Sequence, residues 1–459
     1  MANAEAREAD ITEHWTAVVL AAGKGVRMVS STPKVLHRLC GMEMALYPVQ
    51  AVRAAGVQRV VLVVSASTGP RLRQLLGSDA VFAVQQKALG TGDALSKATP
   101  WLRDPVENVL VINGDATLVT PGTLKAMMRH HVSSNVVVTF LTAQRPLAGM
   151  GRVARDAQGR FLRIVEEAHL TEAERRISEV NAGVYCFRVP WLVKNLGRLE
   201  ASPVGEVYLT DLLGLAVSQG AGAATFTLED AEEALGVNNR VELARAEAVL
   251  RRRICERWML AGVTIRDPAA TYIDAAVQLG PETVVEPGTM LLGRTTVGKS
   301  CMLGPNAVIR DCAIGDGCKV ISSSLEEATL EDGCSVGPYS HLRPGTYLEA
   351  GVHVGTSAEI KNSRVGRETQ VGHFSYIGDA RLGARVNIGA GAVTCNFDGK
   401  SKHATEVGDG AFVGSDTMLV APVKVGDGAI TGAGAVVTHD VPPGSVVVGV
   451  PARAVRRAG

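Results

Sequence analysis

Aromatic side chains are scarce in this chain: Phe, Trp and Tyr make up 4% of its residues. Excess charge of either sign is also missing. A formal net charge of +1 supports neither nucleic-acid binding nor attraction to a membrane surface, since both draw on a basic excess. No apolar run reaches the ~18 residues that a membrane span needs. The stretch from Met1 to His14 lacks the apolar segment of a signal peptide and reads as a loose polar extension, so the cytoplasm is the expected location. Eight cysteines stand singly, at 40, 186, 255, 301, 312, 318, 334 and 395, with no C-x-x-C pair. They read as small buried thiols in a reducing compartment.

Glycine, by contrast, is plentiful, with 50 residues. Few aromatics with many Gly and Val point to thin, repetitive β structure in part of the chain. A length of 459 residues exceeds what one hydrophobic core usually holds, so two or three domains are expected.

The front part alternates. Apolar runs at Thr16–Ala22, Arg59–Val64, Asn108–Ile112 and Asn135–Leu141 are separated by stretches of helical spacing such as Pro121–His131. Continuous apolar strands between helices predict an α/β domain with a mostly parallel sheet covered on both faces. From Asn238 the pattern changes. Leu243, Ala246, Leu250, Ile254 and Trp258 recur every three or four residues, which is one face of a helix ending at Gly262. Beyond it Leu279, Val285, Leu291, Val297, Leu303 and Ile309 stand six apart, as do Leu330, Val336, Leu342, Leu348, Val354 and Ile360. Val407, Val413, Leu419 and Val425 resume the step, and Gly follows eight of these anchors, at 280, 298, 304, 337, 355, 408, 414 and 426. Six matches neither a helix nor simple strand alternation; it matches a hexapeptide β-helix with one aliphatic anchor per side of each coil. The expected division is therefore an extension (1–14), an α/β domain (15–237), a linker helix (238–262) and a solenoid (263–459).

Two places carry residues suited to chemistry. Leu20-Ala21-Ala22-Gly23-Lys24-Gly25-Val26-Arg27-Met28 follows the first strand, with Pro33-Lys34 beyond. A strand running into a Gly-rich loop lets backbone N–H groups approach phosphate oxygens, and Lys24, Arg27 and Lys34 add positive charge. The loop is neither a Walker A sequence nor a complete dinucleotide fingerprint. Asn113-Gly114-Asp115 places a carboxylate at a strand end, in the crevice where α/β folds bind ligands, although such an Asp also serves as an ordinary turn residue. In the solenoid, the informative residues are those that interrupt the repeat. The step shortens after Ile360, and an excursion, Cys395-Asn396-Phe397-Asp398-Gly399-Lys400, follows Gly372-His373-Phe374-Ser375-Tyr376.

Over nearly its whole length the chain resembles the bacterial bifunctional N-acetylglucosamine-1-phosphate uridylyltransferase/glucosamine-1-phosphate acetyltransferases. The resemblance implies a Rossmann-like nucleotidyltransferase domain, a linker helix and a left-handed parallel β-helix. In front it implies a UDP-N-acetylglucosamine site at Leu20, Ala21, Ala22, Gly23, Lys34, Gln85, Gly90, Thr91, Asn113, Gly114, Asp115, Gly151, Glu166, Asn181 and Asn238, with Gln85 at the uracil. Arg27 and Lys34 are implied as catalytic and Asp115 with Asn238 as ligands of Mg²⁺. In the solenoid it implies His373 as general base, Arg343, Lys361, Tyr376 and Asn387 on the sugar phosphate, and Ala390, Asn396, Phe397, Ser415 and Ala433 on acetyl-coenzyme A. The implied partners are UTP, glucosamine 1-phosphate and acetyl-coenzyme A, and the implied assembly is a homotrimer. The chain departs from the family pattern at Ala116-Thr117, where a hydrophobe and proline are usual, at Glu167, where a basic residue is common, at Phe397, a frequent tyrosine, and at Gly449, near which an arginine is missing. Two other readings compete: a single-function nucleotidyltransferase with a passive trimerising tail, and a non-catalytic scaffold. His373, Lys361 and the excursion argue against the first; Gly23, Lys34, Asp115 and Asn238 argue against the second.

Overall fold

The apolar run before Gly23 is buried along its whole length, as a strand covered on both faces must be. In the computed structural model, which describes residues 13–145, 149–203 and 205–457, this run is β1 (Trp15–Ala21). Of the extension expected over 1–14, residues 1–12 lie outside the described residues. β1 sits inside a nine-stranded sheet with β2 (Arg59–Val64), β3 (Val81–Val84), β4 (Asn108–Asn113), β5 (Val138–Gln144), β6 (Arg152–Arg155), β7 (Phe161–Val165), β8 (Glu179–Arg188) and β9 (Ala223–Thr227). The order is β9-β5-β8-β4-β1-β2-β3, with the β6–β7 hairpin attached to β8. Pairing is parallel from β4 through β3 and between β5 and β9. β8 breaks the expected parallel run, lying antiparallel to both β4 and β5. The chain reaches it from the β6–β7 hairpin without a crossover helix, and parallel return requires one.

Side-chain alternation along β4 serves two cores. Leu110 and Ile112 enter one apolar cluster, Val109 and Val111 the other. The helix after β4 runs over Pro121–Ser134, capped by Thr120, whose hydroxyl accepts from Thr123 N–H, and closed by Asn135 in the left-handed region at φ 50. That closure delays the next strand, so β5 starts at Val138 and not at Asn135.

The long helix read from spacing spans Arg240–Leu260, with Ala246, Leu250 and Ile254 buried. The chain divides within it into two compact units, Met1–Leu250 and Arg251–Gly459. The rear unit is a parallel β-helix of three sheets, with 12, 10 and 9 strands. Strands of successive coils pair in parallel, and the antiparallel pair Ser445–Val448 with Arg453–Arg457 ends one sheet. Every aliphatic anchor faces the axis: Val285, Leu291, Leu303, Ile309, Leu342 and Ile360 are fully enclosed. The gap in the six-residue step between Ile309 and Leu330 is no gap in the core. Ile314, Val320 and Leu325 stand in register above Val297, Leu303 and Ile309, the steps from Ile309 to Ile314, from Val320 to Leu325 and from Leu325 to Leu330 being one residue shorter. Where a glycine follows an anchor, the neighbouring coil approaches closely. A Cβ on Gly280 would stand 2.5 Å from the Gly298 carbonyl carbon.

The excursion is an insertion between coils. Val393–Cys395 still pairs with Met418–Val420, then the chain leaves the wall, closes a bridge between Phe397 and Lys402, and rejoins at Thr405.

Deleting one axial anchor tests whether these residues form one core. Leu342→Ala, at a site stacked between Leu325 and Ile360, is expected to cost about 2–5 kcal/mol. This is read as a lower denaturant midpoint for the β-helix. An unchanged midpoint would mean that the anchors do not act as a continuous core.

Candidate active sites

The first site lies where β1 and β4 end. Gly25, at φ 61, turns the loop after β1 back onto Lys34, leaving no room for a Cβ between them. The Lys34 ammonium therefore projects into a cavity of ≈ 570 Å³, where it is 2.5 Å from Asp115 Oδ2 and 3.3 Å from Asn238 Oδ1. Arg27 donates to the same Asn238 oxygen at 3.0 Å. Asn238 is itself fixed by a bond from its N–H to Glu242 at 2.7 Å. Two hard oxygen donors thus face one point, held there by cations. Among the described residues no cluster of three or more His, Cys, Asp or Glu side chains is arranged to hold a metal ion. A carboxylate and an amide oxygen form a partial shell of the kind Mg²⁺ accepts when phosphates and water complete it, so the donor set fits.

Of the residues expected around the nucleotide sugar, all but Ala21 and Gly114 line this cavity. Ala21 is fully enclosed in the sheet. Gly114 lies behind the wall, its N–H bonded to the Leu20 carbonyl, and a side chain there would press on that carbonyl at 2.9 Å. Gln85 donates through Nε2 to Asp93 at 2.7 Å and to the Gly90 carbonyl at 3.1 Å, which turns its oxygen to the cavity as an acceptor. A register shift in β8 between Asn181 and Tyr185 brings Asn181 inward, where its amide donates to the Tyr185 hydroxyl at 2.7 Å. Glu166 closes the far end, accepting from Thr210 at 2.6 Å.

The second set of residues follows the edges of the β-helix. His373, Ala390, Ser415 and Ala433 occupy equivalent corners on successive coils. The imidazole lies over Gly355, where any Cβ would stand 3.0 Å from Nδ1, and Nδ1 accepts from Thr356 N–H at 3.1 Å. Tyr376 and Glu359 are register partners on the adjoining face. At its far edge Arg343 pairs with Glu359 at 2.9 Å. Beside them the ammonium of Lys402, carried by the excursion, lowers the pKa of Lys361. Asn396 is buried at the base of the excursion and Phe397 is exposed. Asn387 lies apart from these, on the sheet that also holds Gln370 and Phe412.

Comparison with known proteins covers both sets. The front matches the nucleotidyl transferase family over residues 16–259. The rear matches the bacterial transferase hexapeptide repeats over 404–439 and the hexapeptide repeat of succinyl-transferase over 294–321. The bifunctional protein GlmU of Trichlorobacter lovleyi is 44% identical over 438 residues, covering 94% of this chain and 95% of that one. That of Heliobacterium modesticaldum is 44% identical over 436 residues, with the same coverage. The chain belongs to the GlmU family.

Residue-by-residue reading of the family pattern missed several groups that the fold delivers. Glu206, Tyr208 and Thr210 line the Glu166 end of the front cavity from alternate positions of one segment. Their spacing of two is the sole hint in the sequence, and nothing in it says where that segment docks. The docking is set by bonds between Val207 and the loop at Leu89–Gly92. Lys402 was likewise missed, because its return to the wall depends on bonds between the ends of the excursion and the preceding coil. Of the departures from the family pattern, Glu167 is engaged with Arg175 at 3.6 Å and Arg152 at 4.0 Å, while Ala116 lines the cavity and Thr117 is buried.

Burial pushes the Glu166 carboxyl pKa up; Asp211 and Glu206 add to the effect, against the Thr210 hydroxyl and His169. The folded chain then holds this proton more tightly than the unfolded chain. The stability it confers is present below the unfolded value of ~4.3 and is lost as pH rises through the higher folded value. Glu166→Gln removes that slope. Thermal unfolding at pH 4.5 and pH 7.5 should show the variant gaining on the parent at the higher pH. Equal differences at both pH values would overturn the assignment.

Proposed function

We propose that this member of the GlmU family acetylates glucosamine 1-phosphate with acetyl-coenzyme A in the β-helix. Its front domain then joins the resulting N-acetylglucosamine 1-phosphate to UMP from UTP, releasing pyrophosphate. The observation that carries this reading is the meeting of Lys34, Asp115 and Asn238 at the end of a cavity whose other end is lined by hydrogen-bonding side chains. We assign the front chemistry to 15–237 with Asn238, the rear chemistry to 263–459, and the connection to 238–262.

In the front site the sugar phosphate oxygen attacks the α-phosphorus of UTP, and the bond from that phosphorus to the bridging oxygen of pyrophosphate breaks. No protein nucleophile is needed, so catalysis is alignment and charge neutralisation. Asp115 and Asn238 would hold Mg²⁺, which when bound neutralises phosphate charge. Lys34 and Arg27 move from these oxygens to the phosphates, Arg27 toward the leaving pyrophosphate. Gln85 presents its oxygen to the N3–H of uracil. Glu166 and Asn181 orient the sugar.

In the rear site the amine of glucosamine 1-phosphate attacks the thioester carbonyl. A carbon–nitrogen bond forms, the carbon–sulfur bond breaks, and the amine proton passes to His373. Imidazole suits a base working near neutral pH. Its lone pair is engaged by Thr356 N–H, so the ring releases that bond as the amine arrives. Arg343, Lys361 and Lys402 form a cationic edge for the sugar phosphate, Tyr376 meets the sugar, and Ala390, Ser415 and Ala433 continue the line past His373 along which the coenzyme lies. A passive trimerising tail would need none of these groups. No helix among the described residues is long and apolar enough to cross a membrane, and the substrates are those of the cytoplasm, where we place the protein.

Reciprocal substitutions test the two assignments. Asp115→Ala should abolish UDP-N-acetylglucosamine formation while acetyl transfer continues. His373→Ala should lower acetyl-transfer turnover by roughly 10²–10⁴, leave uridylyl transfer intact, and recover partly at higher pH as more amine becomes neutral. Loss of both activities from either change would contradict independent sites.

We further propose a homotrimer. Asn387 lies on a different sheet from Tyr376 and Lys361, so a neighbouring copy is needed to bring both kinds of group onto one sugar. Sedimentation should give three copies, and a monomer with full acetyl-transfer activity would refute this.

A further inference from the structure

The excursion that carries Lys402 is folded on itself. Asp398 accepts from Lys400 and Ser401 N–H at 2.8 and 2.7 Å and meets His403 Nε2 at 2.8 Å, and His403 N–H bonds the Asn396 carbonyl at 2.8 Å. What orients this small hairpin against the wall is a different matter. Both of its ends meet one residue of the preceding coil, Asp379. At the start, Asp379 Oδ2 accepts from Asn396 Nδ2 at 2.5 Å. At the return, its carbonyl accepts from Thr405 N–H at 3.3 Å. The other carboxylate oxygen is braced by Asn362 Nδ2 at 2.6 Å, and the Asp379 N–H bonds the Lys361 carbonyl at 3.1 Å. Lys361 and Lys402 both stand near enough to act on the carboxylate. Asp379 holds a left-handed corner, φ 49, that non-glycine residues occupy at a cost.

Two like charges on separate segments repel, and a hairpin tied to the wall only by its backbone would let Lys402 swing from Lys361. A carboxylate between them that also grips Asn396 removes both problems with one group. We infer that Asp379 is a positioning residue of the acetyl-transfer site, fixing Asn396 and holding the Lys402 hairpin against Lys361. This rests on the reading of the rear site given above. Asp379 touches neither the amine nor the thioester; it acts through Asn396 and the two lysines.

The test uses the full chain, with Asp379→Ala and Asp379→Asn. An asparagine keeps one acceptor oxygen but sets its NH₂ against one of the two amide donors, so it should restore part of what alanine loses. In Asp379→Ala, kcat/KM for glucosamine 1-phosphate should fall by roughly 10²-fold, the scale of a small misplacement of a binding group. Asp379→Asn should fall less. Hydrogen exchange should quicken at Phe397–His403 and stay unchanged in the coils at His341–Lys361, and uridylyl transfer should match the parent. Parent-like kinetics in Asp379→Ala would overturn the inference, as would unchanged exchange in the hairpin. Faster exchange through the whole β-helix would also overturn it, by making Asp379 a structural residue only. Should the alanine variant not fold, the asparagine variant is held to the same exchange and kinetic criteria. If the parent chain itself fails to transfer acetyl, the reading of the rear site falls, and exchange alone decides whether Asp379 anchors the hairpin.

Discussion

Each coil of the rear half bonds to the coils above and below it and hardly at all to itself. That ladder fixes the spacing between coils at about 4.8 Å, and most other features of the β-helix follow from it. Anchors at that spacing fill the axis only if they are aliphatic and of similar size. Where successive coils approach most closely, just after an anchor, only glycine fits, as the close approach of Gly280 to Gly298 shows. A wall built this way has few positions free for chemistry: outward faces, corners, and whatever leaves the repeat. The groups proposed for acetyl transfer use all three. His373 is at a corner, Tyr376 is on a face, and Lys402 rides on the insertion.

The front domain solves a different problem. It must gather charge of both signs around a polyphosphate without a preformed cage. Lys34 pairs with Asp115, and Lys34 and Arg27 both donate to the Asn238 oxygen, so the two oxygen donors stay aimed at one point. In the proposed reaction the same cations serve the phosphates. At the other end burial, not charge pairing, governs. Glu166 sits among other carboxylates with its pKa raised, an arrangement that favours hydrogen bonding to a neutral sugar over attraction of a second anion. One cavity therefore grades from cationic to acidic along its length, which matches a ligand that is a phosphate at one end and a sugar at the other.

Both sites depend on residues that defend geometry and carry no reaction step. Gly25 lets the loop fold onto Lys34, the register shift in β8 turns Asn181 inward, and Gly355 makes a seat for the His373 ring. These are contacts across coils or between strands, and their cost of disruption falls on the neighbouring functional side chain.

Much was determined by the sequence alone. The six-residue step required a β-helix, because no other regular structure places one aliphatic side chain inward at that period. The run into Gly23-x-Gly25, with Lys34 and Asp115, marked a polar crevice at the end of a strand, since glycine permits the sharp turn that brings Lys34 to Asp115. The helix over 240–260 was legible for the same kind of reason, its buried face recurring every three or four residues. What the tertiary structure decided was everything that depends on pairing between distant segments. The antiparallel β8, the shortened corners before Ile314, Leu325 and Leu330, the docking of Glu206–Thr210 on the Leu89–Gly92 loop, and the return of Lys402 to Lys361 leave no periodic mark in the chain. Periodicity records which face of a segment is buried; it does not record which other segment buries it, because that is settled by long-range hydrogen bonds and packing formed only once the chain has folded.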